Sequence, residues 1–178
     1  WTRSKEALIA QLTGDTESFG RITAAQELGR LGGRDAVETL EKAFKTESVW
    51  TVRAEIAFAL GKIGTATAES VLVAALPGEN HPKVRRAIVT ALGEFRDQTA
   101  VTTLSEVLKG NKTDIIEMAA AHALGKTRQP GVFDTLQAAM ERDSFNQVVR
   151  QGAINGFVAL KDVKALPLVL DWTAYGRP

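Results

Sequence analysis

The chain has 178 residues, with 22 Lys and Arg against 21 Asp and Glu, a formal charge of +1 and no cysteine. Near-neutral charge with interspersed signs does not advertise a nucleic-acid partner, and the missing cysteine excludes a disulfide framework, thiolate metal ligands and a cysteine nucleophile. The missing cysteine fits a cytoplasmic chain; no apolar run approaches the length of a membrane span, and Lys5 and Glu6 interrupt the first segment where a signal peptide would be apolar, so neither is readable.

The opening segment places Leu8 and Leu12 on one stripe and predicts a helix. Four Leu-Gly pairs follow, Leu28-Gly29, Leu60-Gly61, Leu92-Gly93 and Leu124-Gly125, each 32 residues after the last. A fixed period of that size marks stacked helical hairpins. Ahead of each pair the apolar residues keep i, i+3, i+4, i+7 spacing, as in Val52, Ile56, Ala59 and Leu60 or Val84, Ala87, Ile88, Ala91 and Leu92, which predicts the first helix of a unit. The Gly of each pair is expected to take the left-handed conformation and end that helix.

Twelve residues beyond each Leu stands another, Leu40, Leu72, Leu104 and Leu136. Ala36, Ala68, Ala100 and Val132 lie four before these, and Phe44, Leu76, Leu108 and Met140 four after, so each unit has a second amphipathic helix. Turns as short as Gly32-Gly33-Arg34 or Arg96-Asp97-Gln98 make the two helices antiparallel. Leu8 and Leu12 sit 32 before Leu40 and Phe44, so the opening helix matches the second helix of a preceding unit. In the fifth unit Val149, Ala153 and Phe157 continue the pattern after a one-residue insertion, and Val158 replaces the expected capping Gly. The predicted architecture is all-α: an α-α superhelix of about five hairpins plus one leading helix, forming a single domain over residues 1–178. The absence of an initiator Met at Trp1 and the stop at Pro178 read as a segment cut from a longer polypeptide.

One polar pattern repeats. Arg21, Arg53 and Arg85 lie seven before the Leu of their pairs, with Arg150 in the shifted fifth unit, and each is preceded by an acid in the loop between units: Asp15, Glu47, Glu79 and Asp143. In the fourth unit both members change, to Asn111 and Glu117. The reading is a structural ladder along the stack, in which guanidinium groups satisfy loop carboxylates and helix-start groups. A cationic stripe for anionic ligands is the alternative, weakened by the matched acids.

No chemistry is legible. The two histidines, His81 and His122, lack a second imidazole or spaced carboxylates to complete a metal site, and no zinc-protease, nucleophile-elbow or phosphate-loop motif occurs. Acidic pairs such as Glu38 and Glu41 read as a solvated helix face. Trp50 and Phe133 are candidate interaction residues, although aromatics near helix starts also serve as packing staples. Trp172 occupies the register of Ala43, Ala75, Val107 and Ala139, where it could cover the end of the stack or meet a further element. The basic group Lys83, Arg85 and Arg86 could grip DNA, but neighbouring Glu79 and Glu94 and the scarcity of aromatics argue against it.

The segment from Thr51 to Leu76, TVRAEIAFALGKIGTATAESVLVAAL, resembles the HEAT repeat, in the form also found in phycobilisome lyase subunits. A narrower resemblance is to the C-terminal HEAT-type region of bacterial M1-family metallo-aminopeptidases, on Trp1 with Gln11-Leu12, Gly20-Arg21 before Ala24-Ala25, Trp50-x-Val52-Arg53 and Tyr175-Gly176-Arg177-Pro178. That resemblance implies a zinc hydrolase whose catalytic and metal-binding residues all lie upstream, so no catalytic, cofactor or metal residue is assigned in this chain. It implies an accessory role, with the helices packing on the catalytic domain and shaping substrate access. The alternatives are a free-standing protein-interaction scaffold and a bilin-lyase-like protein. In each case the partner is a protein, a peptide or a neighbouring domain, with neither nucleic acid nor membrane expected.

Overall fold

The computed structural model describes residues 4–110 and 113–173. Within them the chain forms eleven α-helices and one 3-10 turn: α1 Lys5–Gly14, α2 Ser18–Leu31, α3 Arg34–Thr46, α4 Trp50–Ile63, α5 Ala66–Ala75, α6 Pro82–Leu92, α7 Gln98–Lys109, α8 Asp114–Thr127, α9 Val132–Met140, the turn Phe145–Gln147, α10 Val148–Leu160 and α11 Ala165–Thr173. This is the predicted HEAT-like all-α solenoid, with α1 as the leading helix. Side-chain caps begin several helices: the hydroxyls of Ser4, Thr65 and Thr113 and the carboxylate of Asp97 accept the backbone N–H three residues on.

By contact density the chain divides into two bodies, Trp1–Phe95 and Arg96–Pro178. In the N-terminal body the first helices α2, α4 and α6 pack in sequence, while α3 and α5 lie beside them. Its core is aliphatic: Leu28, Leu40, Ile56, Leu60, Leu72, Ile88 and Leu92 are fully buried, each contributing roughly 1.5–3 kcal/mol by transfer from water. In the C-terminal body α8 packs against α7, α9 and α10, and Leu104, Leu124, Leu136 and Met140 are buried.

The glycines of the Leu-Gly pairs depart from the sequence expectation. Gly29, Gly61 and Gly125 lie inside their helices, which run on to Leu31, Ile63 and Thr127. The left-handed caps come later, at Gly64 (φ +68) and Arg128 (φ +53), and Gly32 also has positive φ. Gly93 does end α6, but with φ −67. The pair glycine is required by helix approach instead: a Cβ on Gly29 would sit 2.8 Å from Ala59 Cα, and one on Gly61 would sit 2.9 Å from Ala91 Cβ, closer than packed atoms allow. Val158 likewise lies within α10, and the cap there is Lys161 (φ +59).

The one-residue insertion of the fifth unit is absorbed by the turn before α10, where Asn146 and Gln147 have φ +49 and +57. The chain takes up the extra residue in the connection, so α10 still buries Val149, Ala153 and Phe157 against its neighbours. At Gly152 a Cβ would come within 2.7 Å of Met118 Cα, so α8 and α10 also depend on a missing side chain.

Candidate interaction face

The ladder residues lie where α2, α4, α8 and α10 meet the loops. Arg21 forks its Nε and Nη2 onto Glu47, at 2.7 and 3.0 Å, and gives Nη1 to the carbonyls of Asp15 and Thr16. Arg53 places Nη2 between both oxygens of Glu79, at 2.6 and 2.8 Å. Each arginine therefore takes the carboxylate of the following loop, 26 residues on. Asp15 offers Arg21 its carbonyl, and its carboxylate turns to Gln11 and the Glu17 N–H.

Each of these loop acids also braces its own loop. Glu47 accepts the Val49 N–H at 2.8 Å and Glu79 accepts that of His81 at 2.7 Å, two residues on. Burial would raise the Glu47 pKa, but the Arg21 hydrogen bond and the Val49 N–H hold it below its ordinary value. The Glu47 bond and charge in turn raise the Arg21 pKa.

Arg85 gives Nη1 to the carbonyl of Leu76 at 2.7 Å and, at 3.4 Å, to that of Glu79. Arg150 gives Nε to the Met140 carbonyl at 2.7 Å and lays its guanidinium 3.9 Å from the Trp172 ring centroid. Trp172 is thus a half-buried platform for a cation. Asp143 does not meet Arg150. Instead the preceding residue, Arg142, pairs with Glu117 at 2.6 Å and gives Nη1 to the Leu108 carbonyl. Sequence reasoning missed Arg142; its signal was the acid Glu117 standing where other units carry Arg. Asn111 lies outside the described residues, as do Trp1 and the motif Tyr175-Gly176-Arg177-Pro178.

Of the proposed aromatic contacts, Trp50 is 36% exposed, stacks on His81 at 5.2 Å between ring centroids and lies 4.4 Å from Lys83 Nζ. Phe133 is half-buried and packs edge-on to Phe157. His122 is at the surface; desolvation, followed by the neighbouring Lys126, lowers its pKa.

Two concavities lie between second helices, one in each body. Between α3 and α5 a slot of about 390 Å³ is walled by Phe44, Val71, Ala74 and Ala75 and bordered by Glu41, Lys45, Arg53, Gly78 and Glu79. Between α7 and α9 a slot of about 310 Å³ is bounded by Leu108, Lys109, Asp134, Thr135, Ala138, Ala139 and Arg142. Among the described residues no group of three or more His, Cys, Asp or Glu could hold a metal ion, and no helix is long and apolar enough to cross a membrane.

The family model for HEAT repeats matches residues 6–81 and 69–157. The chain belongs to the HEAT-repeat family. No curated protein matches it. Among solved structures, a chain in the complex of CpcE and CpcF of phycocyanin lyase from Nostoc sp. PCC7120 is 22% identical, covers 85% of this chain and 96% of its own length, and superposes with a TM-score of 0.68. Human deoxyhypusine hydroxylase in complex with glycerol aligns at 17% identity over 98% of this chain and 90% of its own, with a TM-score of 0.48. At such identity the phycocyanin lyase complex shows a shared HEAT-type fold. The aminopeptidase resemblance gains no support from these matches, whereas the scaffold and bilin-lyase-like alternatives fit them better.

Proposed function

We propose that this HEAT-repeat chain is a protein-binding scaffold, holding a protein partner on its second helices. The observation that carries the reading is the fold shared over 85% of the chain with a protein solved in a two-protein complex. Two walled slots between second helices, α3 with α5 and α7 with α9, supply places for partner side chains.

The test is formation of a complex of defined stoichiometry between the full chain and a protein from its source, measured by light scattering. Charge reversal at Lys42 and Lys45 on α3 should weaken it; a complex indifferent to changes on α3, α5, α7 and α9 would sink the proposal. A bilin-lyase-like role is the second reading, favoured by the phycocyanin lyase fold match. Mixing the chain with a phycobilin and with phycobiliprotein subunits separates the two, since failure to bind any of them removes the lyase-like reading.

A further inference from the structure

Successive units meet at fixed register positions. The pair glycine of one first helix faces a small residue of the next: Gly29 meets Ala59, Gly61 meets Ala91 and Gly125 meets Gly156. On the second helix a further register position holds Val37, Glu69, Val101 and Phe133. The first three are buried, and Phe133 packs edge-on to Phe157 of the following unit. In the fifth unit the same two positions are Val158 and Leu166, and with Val163 just before α11 they are 59% to 84% exposed. An apolar concavity of about 290 Å³ lies there, lined by Phe157, Val158, Val163, Ala165, Leu166 and Val169, with Lys161 and Asp162 as its polar members.

A further unit cannot settle on α10 in the way that α10 settles on α8. Even a methyl on Gly125 would come within 1.9 Å of the Gly156 carbonyl oxygen, and the Val158 side chain is larger still. Nor can the first unit of a second copy act as successor. The position that meets the preceding glycine, Ala59, Ala91 or Gly156 in later units, is Glu27 in α2, paired with Arg30 at 2.9 Å. Covering that ion pair with Val158 and Leu166 would strip it of water and supply no new bond.

The same face of a second copy meets neither obstacle. The charged residues between Val158 and Asp171 are Lys161, Asp162, Lys164 and Asp171, two of each sign. Two copies of the face therefore meet without net repulsion, and the lysines of one can approach the aspartates of the other. We propose that Val158, Val163 and Leu166 form the contact of a two-fold symmetric dimer of this chain, apolar centre against apolar centre. The contact uses other residues than the slots on α3, α5, α7 and α9, so it goes beyond the scaffold reading and is tested apart from it.

Light scattering of the full chain over a concentration series should show a monomer passing to a species of twice the chain mass and no further. Leu166→Asp should raise the dissociation constant at least about tenfold while the melting temperature of the dilute chain stays unchanged. Because the chain has no cysteine, single thiols report the geometry without interference. A short bismaleimide should join two Lys164→Cys copies, and should join Gln26→Cys on α2 neither to itself nor to Lys164→Cys. Should Leu166→Asp lower the melting temperature, the crosslinks alone decide. A chain monomeric at every concentration, growth beyond two copies, a dimer indifferent to a folded Leu166→Asp, or crosslinks through Gln26→Cys would each overturn the proposal.

Discussion

Glu117 of α8 holds Arg142 at 2.6 Å in the reverse sense to Arg21 and Glu47: the acid is on the first helix and the guanidinium in the following loop. The separation is 25 residues, against 26 for Arg21 with Glu47 and for Arg53 with Glu79. Arg21, Arg53 and Glu117 thus each meet an opposite charge in the following loop, and the pairing occurs in either polarity. Glu117 is 2% exposed, so losing its partner would strand a buried charge.

Exchanging that pair tests its contribution. Arg142→Ala should lower stability by about 1–3 kcal/mol. Glu117→Arg alone should cost at least as much, and the double exchange Glu117→Arg with Arg142→Glu should recover part of the loss. Urea midpoints in a double-mutant cycle give the coupling; strictly additive losses would contradict the pairing.

The acid limb of stability should depend on Glu47. Its pKa is lowered in the folded state, so the stabilisation is present above the ordinary carboxylate value of 4.5 and is lost as pH falls through the lowered folded value. Glu47→Gln should lower stability at neutral pH and flatten the fall below that value. Thermal unfolding at successive pH values would show it.

Glycines within helices separate crowding from propensity. In an open helix interior, Gly to Ala gains about 1 kcal/mol. Gly29→Ala and Gly61→Ala should instead destabilise by about 1–3 kcal/mol, because the new methyl meets the next first helix. Gly14, with nothing within 4 Å of its added Cβ, should accept Ala without such a loss. Denaturation midpoints of the three variants decide between crowding and a purely local role.

Left-handed caps held by L-residues offer the converse change. Lys161→Gly should stabilise by about 0.5–1 kcal/mol, since φ +59 costs glycine no Cβ clash. A lower melting temperature would show that the Lys161 side chain contributes something the cap geometry does not reveal.

Much of the fold was legible because a repeat states its packing several times. The period of 32 and the apolar stripes through Leu40, Leu72, Leu104 and Leu136 follow from helical geometry, which acts over a few residues and is written locally. The Leu-Gly pair was legible as a necessity but misassigned in purpose. Gly satisfies both a left-handed cap and a close helix contact, and only the position of Ala59 beside Gly29 decides between them.

By itself the sequence determined the helices, their order and the recurrence of one cation and one acid per unit. Tertiary structure decided which cation meets which acid. Arg21 and its loop acid Asp15 are near in sequence, yet stacking brings the Glu47 carboxylate to the guanidinium. It also decided that the acid Glu117, standing where other units carry Arg, meets Arg142 of the next loop. Partner choice of this kind depends on through-space distance between units, which a sequence period constrains but does not specify.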